Sequence, residues 1–268
     1  MRIIFLGDIV GRSGRDAVMA ALPQLRSQFS PDAIIVNGEN AASGFGITIE
    51  LAQPFFTAGV AAITTGNHVW DQRPLIAKID GEPRILRPLN YPPKTPGRGS
   101  ILLTLADGRK LLVAQIMGRL FMDAMDDPFA VIEAEISRHR LGASVAAIFV
   151  DFHAEASSEK MAMAHFLDGR ISGLVGTHTH IPTADAQILP GGTAYQTDAG
   201  MCGDYDSVIG MKKAISLHKF VRKMPTEKMS PAEGVATVCG VVLDTNDATG
   251  LATAIRPIRL GGRLLPTG

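Results

Sequence analysis

Short apolar runs alternate along the chain with longer stretches of helical periodicity. Five runs are rich in β-branched residues and apolar at nearly every position, at 2–6, 33–37, 60–64, 145–150 and 171–175. Continuous rather than alternating hydrophobicity is typical of strands that are covered on both faces. Between the runs lie segments with a helical repeat, at 15–29, 48–58, 72–79, 128–141 and 157–167. This alternation predicts an α/β fold with crossover helices.

Other segments depart from this alternation. Residues 101–105 and 110–116 flank the turn sequence ADGR, which predicts a β-hairpin. Residues 235–243 and 252–258 flank a second turn-rich segment, so we expect antiparallel strands or a second sheet there. The proline-rich residues 87–99 are expected to form an ordered surface loop or a lid. Residues 200–233 have weak periodicity, and the pattern leaves open whether they cap a site or form an interface.

Polar side chains follow the end of each of the five apolar runs. The first run ends in Gly7-Asp8, and the others end in NGEN (37–40), GNH (66–68), DFH (151–153) and GTHTH (176–180). Ligands of α/β proteins bind outside the carboxyl ends of the strands, so we expect these groups to meet at one edge. Each group alone could be a helix cap, a turn or loop surface. Five together predict a functional site.

The donors are oxygen and imidazole atoms, with no thiolate among them. His178 and His180 are two positions apart, so on an extended segment both rings point to the same side. This set of donors favours Mn, Fe, Zn or Co over Cu, Mg or Ca. So many donors favour two ions over one, and two ions about 3.5–4 Å apart can clamp both oxygens of a phosphoryl displacement. The other histidines lie in helix-like or charged stretches and are predicted to be ordinary surface or core residues: His139, His165 and His218.

Composition narrows the class of protein. The 268 residues are 46% hydrophobic, which is enough for one large domain or two small ones. Lys and Arg together number 26, as do Asp and Glu, so no stable nucleic-acid partner and no membrane partner is predicted. A neutral total can still hide a local basic patch. Neither a signal peptide nor a membrane span is apparent, and Cys202 and Cys239 lack the spacing of a metal site, so a cytoplasmic location is expected.

The glycines after the first run offer a competing interpretation. A dinucleotide-binding loop needs the spacing G-x-G-x-x-G, and Gly7, Gly11 and Gly14 do not match it. The metal interpretation of Asp8 is therefore favoured. Arg12 and Arg15 follow Asp8, and they could contact a substrate phosphate or could equally be solvated.

The order of these motifs resembles that of the calcineurin-like metallophosphoesterase superfamily, whose blocks run D-x-H, G-D, G-N-H, H and G-H-x-H. This chain departs from the superfamily pattern at two places. Val10 stands where the superfamily has a histidine, and Glu39, followed by Asn40, stands where aspartate is usual. With these departures, the segments 151–160, 176–185 and 195–203 are similar to the YmdB-type bacterial subgroup, and the similarity runs nearly end to end.

The resemblance implies a single metallophosphoesterase domain over residues 1–268. Its expected fold is a four-layer α/β sandwich, with two mixed sheets flanked by helices. It also implies a dinuclear centre, most readily of iron, with Mn supporting activity and Zn or Co as alternatives. The expected activity is a phosphodiesterase acting on cyclic nucleotides such as 2′,3′-cyclic AMP, and a homo-oligomer stays open.

The resemblance also implies a role for each site residue. One ion would take Asp8, Glu39, Asn40 and His180, and the other would take Glu39, Asn67, His153 and His178. Glu39 would bridge the ions, and a hydroxide between them would attack phosphorus. His68 would sit at the rim as general acid for the leaving oxygen.

Two other functions stay open at this point. The same centre could serve a phosphomonoesterase or nucleotidase, or a regulatory metal- and nucleotide-binding protein with little turnover. Four acidic residues could orient metal-bound imidazoles or could equally be caps and turn residues: Asp71, Glu155, Asp185 and Asp198.

Overall fold

A computed structural model describes residues 1–267. The described helices are α1 Gly11–Phe29, α2 Ile49–Thr57, α3 Arg73–Ile76, α4 Pro128–Ile136, α5 Ser157–Leu167 and α6 Lys213–Arg222. The first seven strands are β1 Arg2–Leu6, β2 Asp8–Ile9, β3 Ala33–Asn37, β4 Ala62–Thr64, β5 Ile85–Leu86, β6 Ser100–Thr104 and β7 Lys110–Met117. The other seven are β8 Ala147–His153, β9 Gly173–Thr177, β10 Gln187–Ile188, β11 Ala194–Gln196, β12 Met201–Asp204, β13 Ala236–Thr245 and β14 Ala252–Leu260.

The strands form two mixed sheets. The first has the order β2-β12-β13-β1-β3-β4-β5, with β14 also paired to β13. Within it, β1, β3, β4 and β5 run parallel, whereas β13 is antiparallel to its neighbours β1, β12 and β14. The second sheet has the order β10-β11-β9-β8-β7-β6, with a parallel centre and an antiparallel pair at each edge.

Three apolar clusters hold these layers together. One joins the first sheet to α1 and α2, and a second joins the other sheet to α4 and α5. The third lies between the two sheets, where the rings of Phe5 and Phe149 are 5.0 Å apart. The order of layers is therefore helix, sheet, sheet, helix, and the predicted α/β sandwich is confirmed.

The apolar runs predicted the main strands well. The runs at 2–6 and 33–37 coincide with β1 and β3, because both strands are buried along almost their whole length. The hairpin around ADGR is formed by β6 and β7, and the predicted C-terminal pair is formed by β13 and β14. The run at 60–64 yields the shorter β4, and the run at 145–150 yields a strand that extends to His153.

The five apolar runs are divided between the two sheets. Strands β1, β3 and β4 belong to the first sheet, and β8 and β9 belong to the second. The two parallel sets nevertheless run so that their carboxyl ends meet at the same side of the sandwich. Within residues 200–233, which the pattern left unassigned, lie the strand β12 and the helix α6.

Glycines allow the close approach of α1 and β12 beside the first strand. A Cβ at Gly7 would overlap the carbonyl of Gly200, and one at Gly14 would overlap the carbonyl of Cys202. The glycines after β1 therefore serve backbone packing, in agreement with their lack of dinucleotide-binding spacing. Within residues 1–267, none of the helices combines the length and the apolar composition needed to cross a bilayer.

Candidate metal centre

The structure brings all seven predicted ligands to one place between the carboxyl ends of the two sheets. Asp8 begins β2, Glu39 and Asn40 follow β3, and Asn67 follows β4. His153 ends β8, while His178 and His180 follow β9. Five of these side chains are almost completely buried, and Asn67 and His178 are half-buried at the open side.

The first group of donors surrounds Nε2 of His153. This nitrogen lies 2.9 Å from Oε2 of Glu39, 2.9 Å from Oδ1 of Asn67 and 3.1 Å from Nδ1 of His178. Nδ1 of His153 is engaged elsewhere, 2.9 Å from the hydroxyl of Thr177. A single ring nitrogen carries at most one proton, so it cannot serve three electron-rich neighbours by hydrogen bonding.

The second group contains Asp8, Glu39, Asn40 and His180. Nε2 of His180 lies 3.1 Å from Oδ1 of Asn40 and 3.9 Å from Oδ1 of Asp8. Donor atoms of Asp8, Glu39 and His180 all lie within 4.8 Å of one another, as do those of Glu39, His153 and His178. Glu39 thus belongs to both groups, which is the position expected of a bridging carboxylate.

The polar contacts of the second group leave a place that suits a cation. Nδ1 of His180 donates to the carbonyl of Ile209 at 2.8 Å, and the amide nitrogen of Asn40 donates to the carbonyl of Gly44 at 3.0 Å. The remaining lone pairs of both side chains therefore face each other. Oδ1 of Asp8 is buried without a hydrogen-bond partner among the described residues. Buried acceptors without donors are costly, and a metal ion would satisfy them.

The electrostatics of the two donor groups also favour a bound cation. Burial raises the pKa of Glu39, but the charge of His153 and its hydrogen bond outweigh burial and lower the pKa to about 2. Burial lowers the pKa of His153, but the facing Glu39 raises it to about 9. Burial raises the pKa of Asp8 well above its usual range. These carboxylates therefore attract positive charge, and a metal ion competes with protons for such a site.

Burial favours the neutral form of the other two imidazoles. Burial, aided by the charge of His153, lowers the pKa of His178 to about 3. Burial also lowers the pKa of His180. Neutral imidazole is the form that binds metals. Nε2 of His178 lies 3.1 Å from Oε2 of Glu155, which leaves Nδ1 of this ring for the cluster.

A buried polar network under the centre orients His153. The hydroxyl of Thr177, which contacts the ring, donates to Oδ1 of Asp151 at 2.7 Å. Oδ2 of Asp151 accepts from Asn37 at 2.9 Å and from the hydroxyl of Thr64 at 2.5 Å. Asn37 and Thr64 belong to the first sheet and Asp151 to the second, so the network ties the two sheets together where the site lies.

An ion pair supports the loop that carries His178 and His180. Both residues have left-handed backbone angles, with φ of 94° and 67°. Beneath them Nζ of the buried Lys160 lies 2.8 Å from Asp198 and donates to the carbonyl of Thr177 at 2.7 Å. Asp198 also accepts from the backbone and the hydroxyl of Thr179. Such contacts hold the loop in a conformation that residues other than glycine rarely adopt.

His68 lies at the rim, beside the donor groups rather than among them. Its Nδ1 is 2.8 Å from Oδ2 of Asp71, and its backbone N–H points to Oε2 of Glu39 at 3.5 Å. The ring of Phe45 packs edge-on against it, with centroids 5.1 Å apart. The imidazole is half-buried and oriented from two sides, which leaves Nε2 available to a bound molecule.

Steric constraints explain two small residues of the motifs. A Cβ on Gly66 would overlap Oε2 of Glu39 and Nε2 of His153, so only glycine fits between them. Val10 is buried and packs against Gly203 and Gly210, where the superfamily motif would place an imidazole. The backbone of Val10 forms a β-bridge with that of Asn40. This bridge brings the side-chain amide of Asn40 next to the position of the absent imidazole.

The remaining candidates separate into two sets. Asp71 and Glu155 contact His68 and His178 directly. Asp198 and Asp185 instead accept hydrogen bonds from the backbone and the hydroxyl of Thr179 and of Thr197, respectively. His139, His165 and His218 lie on or beside the peripheral helices α4, α5 and α6. The supporting roles of Lys160 and Thr177 were missed by sequence reasoning, because nothing local marks a buried lysine in a helix as a loop anchor.

A family model and several known proteins are similar to this chain. A family model described as YmdB-like protein matches residues 4–258. The chain is 44% identical over 258 residues to the 2′,3′-cyclic-nucleotide 2′-phosphodiesterase of Bacillus subtilis, with 96% of each protein covered. A protein of Thermus thermophilus described as hypothetical has a similar structure, with a TM-score of 0.90, 41% identity and coverage of 98% of this chain and 100% of that one. A phosphatase of Mycoplasma pneumoniae also has a TM-score of 0.90, with 33% identity and coverage of 97% and 93%.

Proposed function

The chain belongs to the YmdB-like family, as its motifs predict, and on that premise we propose that it is a metal-dependent phosphodiesterase acting on 2′,3′-cyclic nucleotides. In the reaction, water adds to phosphorus and the P–O2′ bond breaks. The 2′-oxygen receives a proton, and the product is a 3′-phosphate. This is the chemistry that the name of the Bacillus subtilis relative describes.

The observation that carries the proposal is the pair of donor groups that share Glu39. A centre of two ions with one bridging carboxylate suits hydrolysis of a phosphoester, because both the entering and the leaving oxygen need stabilisation. The lone pairs of Asn40 and His180 that face each other, and the unpartnered oxygen of Asp8, fit such a centre.

We assign the ligands by the grouping of donors. Asp8, Glu39, Asn40 and His180 would hold one ion, and Glu39, Asn67, His153 and His178 would hold the other. When bound, the ions would supply Lewis acidity, which activates water and offsets negative charge on the phosphoryl oxygens. Thr177 and Asp151 hold the ring of His153 in the orientation that presents Nε2 to the site.

His68 is the proposed general acid. Asp71 occupies Nδ1 of the ring and leaves Nε2 as the nitrogen that can protonate the leaving 2′-oxygen. Phe45 limits rotation of the imidazole from the other side. Proton donation of this kind is worth about 10²–10⁴-fold in rate.

The metal that we propose is iron, with Mn able to support activity. Oxygen and imidazole donors without thiolate favour these ions, and Zn or Co would be accepted by the same donors. A single domain over residues 1–268, a homo-oligomer and a cytoplasmic location stay predictions.

Hydrolysis of defined substrates tests the proposed function. Purified protein, with metal content measured and Fe²⁺ or Mn²⁺ added, should convert 2′,3′-cyclic AMP to 3′-AMP, as followed by chromatography. It should also hydrolyse bis-p-nitrophenyl phosphate faster than p-nitrophenyl phosphate. Faster hydrolysis of the monoester would contradict the diesterase assignment. Tight binding of 2′,3′-cyclic AMP without product would indicate a binding protein instead.

A further inference from the structure

Three adjoining cavities form a groove that leads away from His68. The cavity next to Asp71 has a volume of about 520 Å³ and shares Ser43 and Lys228 with a second cavity of about 380 Å³. The second shares Met229 with a third of about 530 Å³ along α6. We call these three cavities together the basic groove. Each has the volume of a small-molecule site, so the whole groove is longer than one mononucleotide needs.

The groove lies one side chain away from the proposed catalytic site. Phe45 lines its first cavity and packs on the ring of His68. Gln72, also in that cavity, donates to the carbonyl of Phe45 at 2.7 Å. In the second cavity Arg15 donates to the carbonyl of Ala41, the residue after Asn40. The first cavity therefore begins on the other side of the Phe45 ring from His68.

Positive charge is concentrated along the groove, although the net charge of the chain is zero. The cations that line it are Arg12, Arg15, Arg73, Lys219, Lys223 and Lys228. The acids that line it are Asp71, which is engaged with His68, and Glu227 and Glu233. Residues 212–228 alone carry six basic residues and one acidic residue.

These cations are also free of ion pairs. In the part of the chain that the structure describes, no carboxylate oxygen lies within 4.0 Å of the charged nitrogens of the six cations of the groove. By contrast Arg2, Arg84 and Arg109, on other surfaces, each pair with a carboxylate. Unpaired cations that face one groove favour an anionic ligand.

Aromatic rings line the same groove as the cations. Phe45 and Trp70 line the first cavity, and Phe220 lines the third with 65% of its surface exposed. The ammonium of Lys223 lies 5.8 Å from the centre of the Phe220 ring. Grooves that bind single-stranded nucleic acid typically combine cations along the path of the phosphate backbone with exposed rings on which bases stack.

We propose that the basic groove binds the single-stranded RNA that precedes a terminal 2′,3′-cyclic phosphate. The inference rests on the proposed function and names its substrate class: the end of an RNA chain rather than a free mononucleotide. The terminal phosphate would be at the metal centre, and the preceding phosphates would lie along the groove. A cyclic mononucleotide has a single phosphate, so it would leave the cations of α6 and Lys228 without a ligand.

Substrate length is the first test. Metal-loaded enzyme is given 2′,3′-cyclic AMP and RNA of two, four and eight nucleotides that ends in a 2′,3′-cyclic phosphate. We expect kcat/KM to be at least tenfold higher for the eight-nucleotide RNA than for the mononucleotide. Lys219→Gln/Lys223→Gln should lower kcat/KM for the eight-nucleotide RNA about tenfold and remove most of this advantage.

The control pair is Lys110→Gln/Arg140→Gln. Both residues are exposed. Lys110 begins β7 and Arg140 precedes β8, at the amino ends of these strands and so on the side of the sandwich away from the site. This pair removes the same charge and should retain the length dependence of the wild type. Loss of the length dependence in the control would mean that net charge, and not the groove, selects long substrates.

Binding is the second test, and it does not depend on turnover. Fluorescence anisotropy with a labelled eight-nucleotide RNA ending in a 3′-phosphate should give a Kd that weakens with salt. Each phosphate contact on a single strand contributes about 0.7 to the slope of log Kd against log salt concentration. Removal of Lys219 and Lys223 should therefore lower the slope by about 1.4.

The outcomes separate this inference from the proposed function. Hydrolysis of 2′,3′-cyclic AMP with equal kcat/KM for every length would overturn the groove and leave the phosphodiesterase intact. RNA binding with the expected salt slope, but without hydrolysis, would support the groove and contradict the proposed function. Sedimentation that shows a dimer in the wild type and a monomer in the α6 variant would make this face an interface between copies, and would also overturn the inference.

Discussion

At the scale of single residues, the centre depends on side chains that form a hydrogen bond through one polar atom and leave another polar atom available. His180 and Asn40 each donate to a backbone carbonyl, so their remaining lone pairs face each other. Asp71 engages one nitrogen of His68 and leaves the other available. Each side chain thereby presents one defined atom, which is what a ligand or an acid catalyst requires.

Asn40→Ala tests whether the side-chain amide of Asn40 takes the place of the imidazole that is missing at Val10. We expect the affinity for the ion shared with Asp8 to fall by more than the roughly 10–100-fold that loss of an outer contact costs. Metal content after dialysis, measured by mass spectrometry, should drop from two ions toward one. Asn246→Ala, in an exposed turn, is the control. Retention of two tightly bound ions would show that Asn40 is not a ligand.

His68→Ala tests the general acid. Turnover of 2′,3′-cyclic AMP should fall by about 10²–10⁴-fold, because the leaving oxygen loses its proton donor. Metal content should stay unchanged, since His68 lies outside both donor groups. His139→Ala provides the matched control at the end of α4. Loss of metal from His68→Ala would instead make this residue a ligand.

At the scale of elements, the centre is a product of strand ends. Four strands end at the same side of the sandwich: β3 and β4 of one sheet, and β8 and β9 of the other. The donor residues lie at the last position of each strand or in the first few residues after it. Strands are stiff, so the donors are held by the sheets rather than by long loops. The cost of this arrangement is crowding, which the motif glycines relieve.

Gly66→Ala measures that crowding. The added methyl group would overlap Glu39 and His153, so we expect metal affinity and activity to fall at least tenfold. Overpacking of this kind costs about 1–3 kcal/mol of unfolding free energy. Gly81→Ala is the control, because a Cβ there meets nothing within 4 Å. Unchanged metal binding by Gly66→Ala, measured by titration, would mean that the strand end shifts freely.

At the scale of the whole molecule, the two sheets behave as halves of one site. Apolar packing of Phe5 on Phe149 and the buried contacts of Asp151 with Asn37 join them. The seven candidate ligands are divided between the halves, so separation of the sheets would dismantle both donor groups. Charge is likewise a property of the whole: a neutral chain folds so that unpaired cations line one groove.

Leu174→Ala tests whether the chain unfolds as a single domain. Leu174 is buried between the second sheet and its helices, and its truncation should cost about 2–5 kcal/mol. The single tryptophan, Trp70, packs with the first sheet, so its fluorescence reports the other half of the molecule. In one domain, denaturation followed by fluorescence and by circular dichroism should shift together. A fluorescence midpoint that does not move would indicate two independently unfolding units.

Local sequence patterns are sufficient to predict the main strands and the polar groups that follow them. Unbroken apolar runs predicted β1 and β3 to the residue, because burial on both faces leaves a continuous hydrophobic signal. The order of polar groups after the runs predicted the residues that now surround the centre. Short strands such as β2 and β11 left no such signal, since two or three residues carry no periodicity.

Which of these groups meet depends on contacts between distant parts of the chain. The backbone of His178 donates to Asp8 across 170 positions of sequence, and no local pattern encodes such a contact. Three other features also arise from contacts between residues that are distant in sequence. They are the sharing of Glu39 by both donor groups, the anchoring of the His178 loop by Lys160, and the basic groove. Periodicity records how deeply a residue is buried, whereas the neighbour that it meets depends on how distant strands pair and how the two sheets pack.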